Sequence, residues 1–102
     1  MITKSKTATY IGFAVRAGKC RTGTNSIQTL KQANLILLCK SASDNTKKLV
    51  SKIAKKFGCP MLVSKDKLLE EFTFTSNTKV MAITDKSLAD AIYLNYQEEF
   101  IL

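Results

Sequence analysis

The chain has 102 residues, 45% of them hydrophobic and 24% charged, which is the balance of one globular domain spanning 1–102 and excludes a fibrous or disordered chain. Its formal charge is +8 and its pI about 9.6, which favours a polyanionic partner over an acidic one. No apolar run approaches membrane-spanning length and the N-terminus has no signal-type apolar core, so a soluble, cytoplasmic protein with no membrane partner is expected.

The charge is unevenly spread. Residues 1–65 carry thirteen Lys or Arg against Asp44 alone, whereas residues 66–102 carry three Lys against seven acids. An evenly solvated surface would mix the signs, so this split predicts a basic face. Fourteen of the sixteen cations are Lys. Lysine acts as a point charge on phosphate, whereas arginine supplies the planar fork that matches base edges. Backbone and shape recognition is therefore expected to outweigh base reading by Arg.

In chain order, Tyr10, Phe13, Ala14 and Ala17 recur at helical spacing over residues 4–17, and Gly18 can stop that helix. Lys19 to Thr22 reads as a brief strand. Gly23 or Thr24 then caps a second helix with Ile27 and Leu30 inward. Leu35-Ile36-Leu37-Leu38-Cys39 is apolar without alternation, which predicts a strand buried on both faces and hence helices above and below the sheet. Ser41 to Asp44 resembles a capping box for a third helix with Leu49, Val50, Ile53, Ala54 and Phe57 inward and Lys47, Lys48, Lys52, Lys55 and Lys56 mainly on the other side. Gly58 and Pro60 end it.

Met61 to Val63 reads as a third strand, Lys65 to Phe72 as a weaker helix, Thr73 to Thr78 as a loop, and Val80 to Ile83 as a fourth strand. Ser87 to Asp90 resembles a second capping box, Asp85 suits a helix start, and Leu88, Ala91, Ile92 and Asn95 fall on the inward side of a last helix. Helices alternating with strands predict an α/β fold, a three-layer sandwich around a small, mostly parallel or mixed sheet. Ligands of open α/β sheets gather beyond one end of the strands, where the Gly23 turn and the strand end at Lys40 are expected neighbours.

Catalytic chemistry finds little support. The chain has no His, so Ser-His and Cys-His nucleophiles are excluded. Cys20, Cys39 and Cys59 are widely spaced and form no CxxC pair, which favours reduced, buried thiols over zinc; no metal or other cofactor is expected. Glu70-Glu71 and Glu98-Glu99 are neighbours that point apart on a helix. The glycines fit no dinucleotide or phosphate-loop fingerprint. A non-enzyme is expected.

The words Ile11-Gly12-Phe13-Ala14-Val15-Arg16-Ala17-Gly18-Lys19, Gly23-Thr24-Asn25, Leu35-Ile36-Leu37-Leu38 with Ala42-Ser43-Asp44-Asn45-Thr46-Lys47-Lys48, and Ala82-Ile83-Thr84-Asp85-Lys86 follow one another in this order. Together they resemble the L-seven-Ae/L-thirty-e ribosomal protein family, above all its bacterial YlxQ-like branch, over about residues 9–93. The resemblance implies a three-layer α/β/α sandwich with a mixed four-stranded sheet, and a ribosome-associated protein that binds structured RNA, commonly a kink-turn, without catalysis. It places the RNA site on the turn after the first strand and the loop before the last. Carried over, these are Gly23, Thr24 and Asn25, with Arg21 at a basic position before them, and the segment Thr73 to Thr78. The expected RNA contacts are thus Arg21, Gly23, Thr24, Asn25, Ser26, Gln28, Lys31, Lys40, Thr75, Ser76 and Asn77. Ser26 stands where the family often has Glu, and Thr29 where it has Lys. These departures leave open an alternative, a protein-interaction module on the same fold that has lost specific RNA readout.

Overall fold

The computed structural model describes residues 6–65, 78–98 and 100–101. Helix α1 (Lys6–Ala17) leads through Gly18 into strand β1 (Cys20–Thr22) and the short helix α2 (Thr24–Gln28); strand β2 (Leu35–Leu38), helix α3 (Asp44–Phe57) and strand β3 (Met61–Ser64) follow. Strand β4 (Val80–Ile83), helix α4 (Lys86–Leu94), a single 3-10 turn (Tyr96–Glu98) and strand β5 (Phe100–Ile101) complete the described chain.

The sheet has five strands in the order β1-β4-β2-β3-β5. Only β2 and β3 are parallel, joined across α3; the other pairs are antiparallel. The expected four-stranded sheet gains β5, whose register sets Val63 opposite Ile101 and Ser64 opposite Phe100. Two residues are too few to show a period, which hides this strand in the sequence. Its anchor is Phe100, fully buried.

The non-alternating run at β2 does what its composition requires. All four residues are buried, and they divide between two cores. Leu35 and Leu37 join Ile11 and Ala14 of α1 and Ala89 and Ile92 of α4. Ile36 and Leu38 join Ile27 of α2 and Val50, Ile53 and Ala54 of α3. Strand β4 divides the same way, with Met81 and Ile83 on the α1/α4 side and Val80 and Ala82 on the α2/α3 side. The result is the three-layer α/β/α sandwich.

The helices differ from the sequence reading in which residues they bury. Helix α1 buries Thr7, Ile11 and Ala14, while Phe13 is 54% exposed and Ala17 lies on the surface. The Thr7 hydroxyl donates to the Asn95 carbonyl, tying the start of α1 to the end of α4. That bond allows a polar residue to lead the buried stripe, so a purely apolar count displaces the stripe. On α3 the inward residues are Val50, Ile53 and Ala54 with Phe57 beside them, and Leu49 is 38% exposed. On α4 they are Ala89 and Ile92 with Leu88 packed alongside; Ala91 and Asn95 are half-buried, and the Asn95 side chain bonds back to the Ala91 carbonyl.

The caps are local, but the cap of α3 is Ser43 and not a box led by Ser41. The Ser43 hydroxyl accepts from the Thr46 N–H, and Gly58 closes α3 at φ 67°. Helix α4 is capped by Asp85, whose carboxylate accepts from the Leu88 N–H at 2.9 Å, in place of a box at Ser87. The helix expected over Lys65 to Phe72 lies, beyond Lys65 itself, outside the described residues.

Leu37 is fully buried, so Leu37→Ala removes the side chain beyond Cβ and leaves a cavity. Urea denaturation should show a loss of about 2–5 kcal/mol. Leu94→Ala, at a side chain 79% exposed, should change the midpoint little.

Candidate nucleic-acid interface

Strand β1 is an edge strand, and its register on β4 decides where its side chains point. Cys20 stands opposite Ile83 and packs with the α1/α4 core. Arg21 stands opposite Ala82, which belongs to the α2/α3 core. Directly opposed residues share a sheet face, so Arg21 projects on the α2/α3 side. Its side chain is exposed, and a guanidinium N–H reaches the Cys20 carbonyl only at 3.4 Å.

Gly23 carries the pairing one step further, its N–H donating to the Val80 carbonyl at 3.2 Å, and then turns the chain off the sheet with φ 89° and ψ 140°. That backbone region is open to glycine and strained for side-chain-bearing residues. The Gly23 carbonyl accepts from the Ile27 N–H at 3.1 Å and so starts α2, but no side chain caps the helix. The N–H groups of Thr24, Asn25 and Ser26 lie in a first turn that has no intrahelical acceptor for them. Asn25 and Ser26 are exposed and Thr24 is half-buried. The helix is only 5 residues long, so its dipole is small and the attraction for an anion comes from these N–H groups themselves.

Three further positions meet at the same end of the sheet. Leu38 pairs with Val80 on one side and Val63 on the other. Just beyond, the Cys39 N–H donates to the Lys79 carbonyl at 2.7 Å, and the Lys40 N–H to the Ser64 hydroxyl at 2.8 Å. The Lys79 ammonium donates to the Ser41 hydroxyl at 2.8 Å, and the Cys39 sulfur lies 3.1 Å from that same hydroxyl oxygen. Gly23 and Cys39 therefore flank the entry to β4 from opposite sides, about two strand spacings or 10 Å apart. The Gly23 turn and Lys40 do share one sheet end, as their places on the strands suggested.

Other expected site residues are placed differently. Gln28 is exposed at the last position of α2. Lys31 is exposed on the turn leading to Asn34, whose N–H donates to the Ile83 carbonyl at the far end of β4, so it lies away from the Gly23 turn. Thr75, Ser76 and Asn77 lie outside the described residues; Thr78, where description resumes, is buried. Thr29 turns its hydroxyl onto the Ser26 carbonyl at 2.8 Å, a bond internal to the turn. Lys79 was missed in the sequence, where the only signal was a cation directly before an apolar strand.

The cysteines are free. Cys39 is buried, whereas Cys20 and Cys59 are half-buried rather than buried as expected. Burial pushes both of these thiols above their ordinary range; for Cys20 the neighbouring Arg21 charge works weakly against it. Among the described residues no three His, Cys, Asp or Glu side chains gather as a metal site would need, and no helix is long and apolar enough to cross a membrane.

No protein-family model matches the chain, and no curated protein matches it. Solved structures do. A Bacillus halodurans protein of unknown function superposes with a TM-score of 0.79 at 20% identity, over 92% of this chain and 99% of that one. The Giardia lamblia 15.5kD RNA binding protein superposes with a TM-score of 0.64 at 16% identity, over 91% of this chain and 83% of that one. At these identities the likeness is one of fold alone.

Two outcomes test this geometry. Gly23→Ala should cost about 1–3 kcal/mol in urea denaturation, because φ 89° strains any L side chain. The raised Cys20 and Cys59 thiols stabilise the fold fully below their unfolded-state ionisation, and that contribution is lost as pH rises through and above the ordinary thiol value of 9.0. Stability measured from pH 7 upward should thus fall more steeply in the natural chain than in a Cys20→Ser/Cys59→Ser variant.

Proposed function

We propose that this protein is a non-catalytic, ribosome-associated binder of structured RNA. The RNA backbone is taken at the Gly23 turn, where the free N–H groups of Thr24, Asn25 and Ser26 receive a phosphate. Arg21 and Lys40 add charge from either side, Lys79 joins them from the entry of β4, and Asn25 and Gln28 reach polar RNA groups. The observation that carries this reading is the uncapped, glycine-led turn with Arg21 at its edge, at the same sheet end as Lys40. The fold shared with the Giardia RNA binding protein supports it. So does the resemblance to the L-seven-Ae/L-thirty-e family and its YlxQ-like branch, which points to kink-turn RNA in the cytoplasm and assigns the undescribed Thr75, Ser76 and Asn77 to the same site.

Ser26 and Thr29 favour recognition of backbone and shape over guanine edges. Ser26 has no carboxylate to accept from a base, and Thr29 spends its hydroxyl within the turn. A second reading, a protein-interaction module on this fold, draws on the same two residues and on Phe13 and Leu94, exposed on the α1/α4 side. A partner protein retained after nuclease treatment would favour that reading.

The test compares a kink-turn RNA, a straight duplex and a single strand across a salt series. The kink-turn should bind tightest, and its affinity should fall steeply with salt, as phosphate contacts require. Arg21→Glu with Asn25→Ala should weaken kink-turn binding by about tenfold or more, corresponding to about 1–3 kcal/mol per lost contact. Unchanged binding in that double variant would refute the site.

A further inference from the structure

Helix α3 carries a stripe of positive charge that the Gly23 site does not use. Val50, Ile53 and Ala54 face the sheet, so the 3.6-residue repeat turns Lys48, Lys52, Lys55 and Lys56 away from it, and all four are exposed. Lys48, Lys52 and Lys56 follow one another at i, i+4, and Lys55 stands three residues after Lys52 on its other flank, so like charges are neighbours on the helix surface. The one acid on the helix is Asp44, in its first turn and four residues before Lys48. None of the four ammonium groups makes an ion pair or hydrogen bond among the described residues. A ridge of neighbouring, unpaired ammonium groups repels itself, and a polyanion laid along it relieves that repulsion.

The ridge has a definite relation to the Gly23 turn. Helices α2 and α3 cover the same face of the sheet and pack on one another, and Arg21 projects on that same side. Across this face the order is Arg21 at the edge, then α2, then α3. Helix α3 begins beside Lys40 at the site end of the sheet and runs away from it for 14 residues, about 21 Å. The lysines from Lys48 to Lys56 step along about 12 Å of that length.

We propose that the α3 ridge is a second, sequence-independent seat for the sugar-phosphate backbone of duplex RNA, a rail for a helical arm extending from RNA held at the Gly23 turn. The proposal builds on the RNA-binding reading but stands on a separate set of residues. A convex row of lysines cannot read the deep, narrow major groove of A-form RNA, and Lys offers point charges without a planar fork. The rail therefore adds affinity and footprint without adding sequence preference. Lys48, Lys52 and Lys55 are its central contacts.

The full chain is compared with a Lys48→Gln/Lys52→Gln/Lys55→Gln variant and with the corresponding triple Arg variant, by fluorescence anisotropy over about 50–200 mM salt. The probes are a straight RNA duplex of two helical turns and a kink-turn RNA with arms trimmed to a few base pairs. In the Gln variant, affinity for the straight duplex should drop about tenfold or more at low salt, and its log–log salt slope should shrink by about two to three. The trimmed kink-turn should bind nearly as before, and the Arg variant should retain duplex binding because charge is kept. The Gln variant should melt no lower than the natural chain, since it only removes surface repulsion. An unchanged duplex slope and affinity in the Gln variant would overturn the rail. Arg21→Glu with Asn25→Ala separates the two sites: if it leaves the trimmed kink-turn bound while the Gln variant loses the duplex, the rail stands and the Gly23 site falls.

Discussion

The structure depends on the burial of β2 on both faces. Leu35, Ile36, Leu37 and Leu38 are fully buried, two to each core. Each contributes on the order of 1.5–3 kcal/mol of apolar burial. Because successive strand side chains alternate, β2 can serve two cores only if both layers are present, and this obliges α1 and α4 to one side and α2 and α3 to the other. Strand β4 repeats the same division beside it, so a slip of one residue in the β2–β4 register would place every side chain of one strand in the wrong core.

That fixed register is also what assembles the candidate interface. Once Leu38 is locked opposite Val80, the chain leaving β2 at Cys39 and Lys40 must emerge beside Lys79. Once Thr22 is locked opposite Met81, the N–H of Gly23 meets the Val80 carbonyl and the turn into α2 opens at the same end. The polar and basic residues gathered there come from three separate stretches of chain, yet their meeting follows from hydrophobic register. The same register turns Arg21 toward the α2/α3 face, which is where the lysines of α3 also lie. Arg21 and the α3 lysines thus share one side of the sheet, while Lys6 and Arg16 lie on α1 across it.

The turn itself shows how a small structural decision changes the chemistry. A longer helix would bring a substantial dipole to its N-terminus, whereas α2 has 5 residues and offers mainly three backbone N–H groups. Glycine at φ 89° turns the chain into the helix without a side-chain cap over those groups. With Ser26 lacking a carboxylate and Thr29 bonded to the Ser26 carbonyl, the turn is better suited to a phosphate than to a base edge. Lysine is likewise the dominant cation over the whole chain.

Much of the fold was legible in the chain because its signals are local. The unbroken apolar run at Leu35–Cys39, the glycine stops at Gly18 and Gly58 and the apolar stripe around Val50 and Ile53 each act within one or two turns of backbone. They determined the alternation of helices and strands and hence the sandwich. Strand β5 was not legible, since it exists only as a partner for β3 and is held by the burial of Phe100. The inward side of α1 was read one step off, because Thr7 is admitted to the core only by its bond to the Asn95 carbonyl, 88 residues away. The sequence by itself also determined that Arg21, Gly23, Asn25 and Lys40 were polar candidates on loops and edges. That Gly23, Lys40 and Lys79 stand at one end of the sheet while Lys31 lies toward the other was decided only by tertiary structure, because strand pairing between distant segments sets it and no local pattern encodes it.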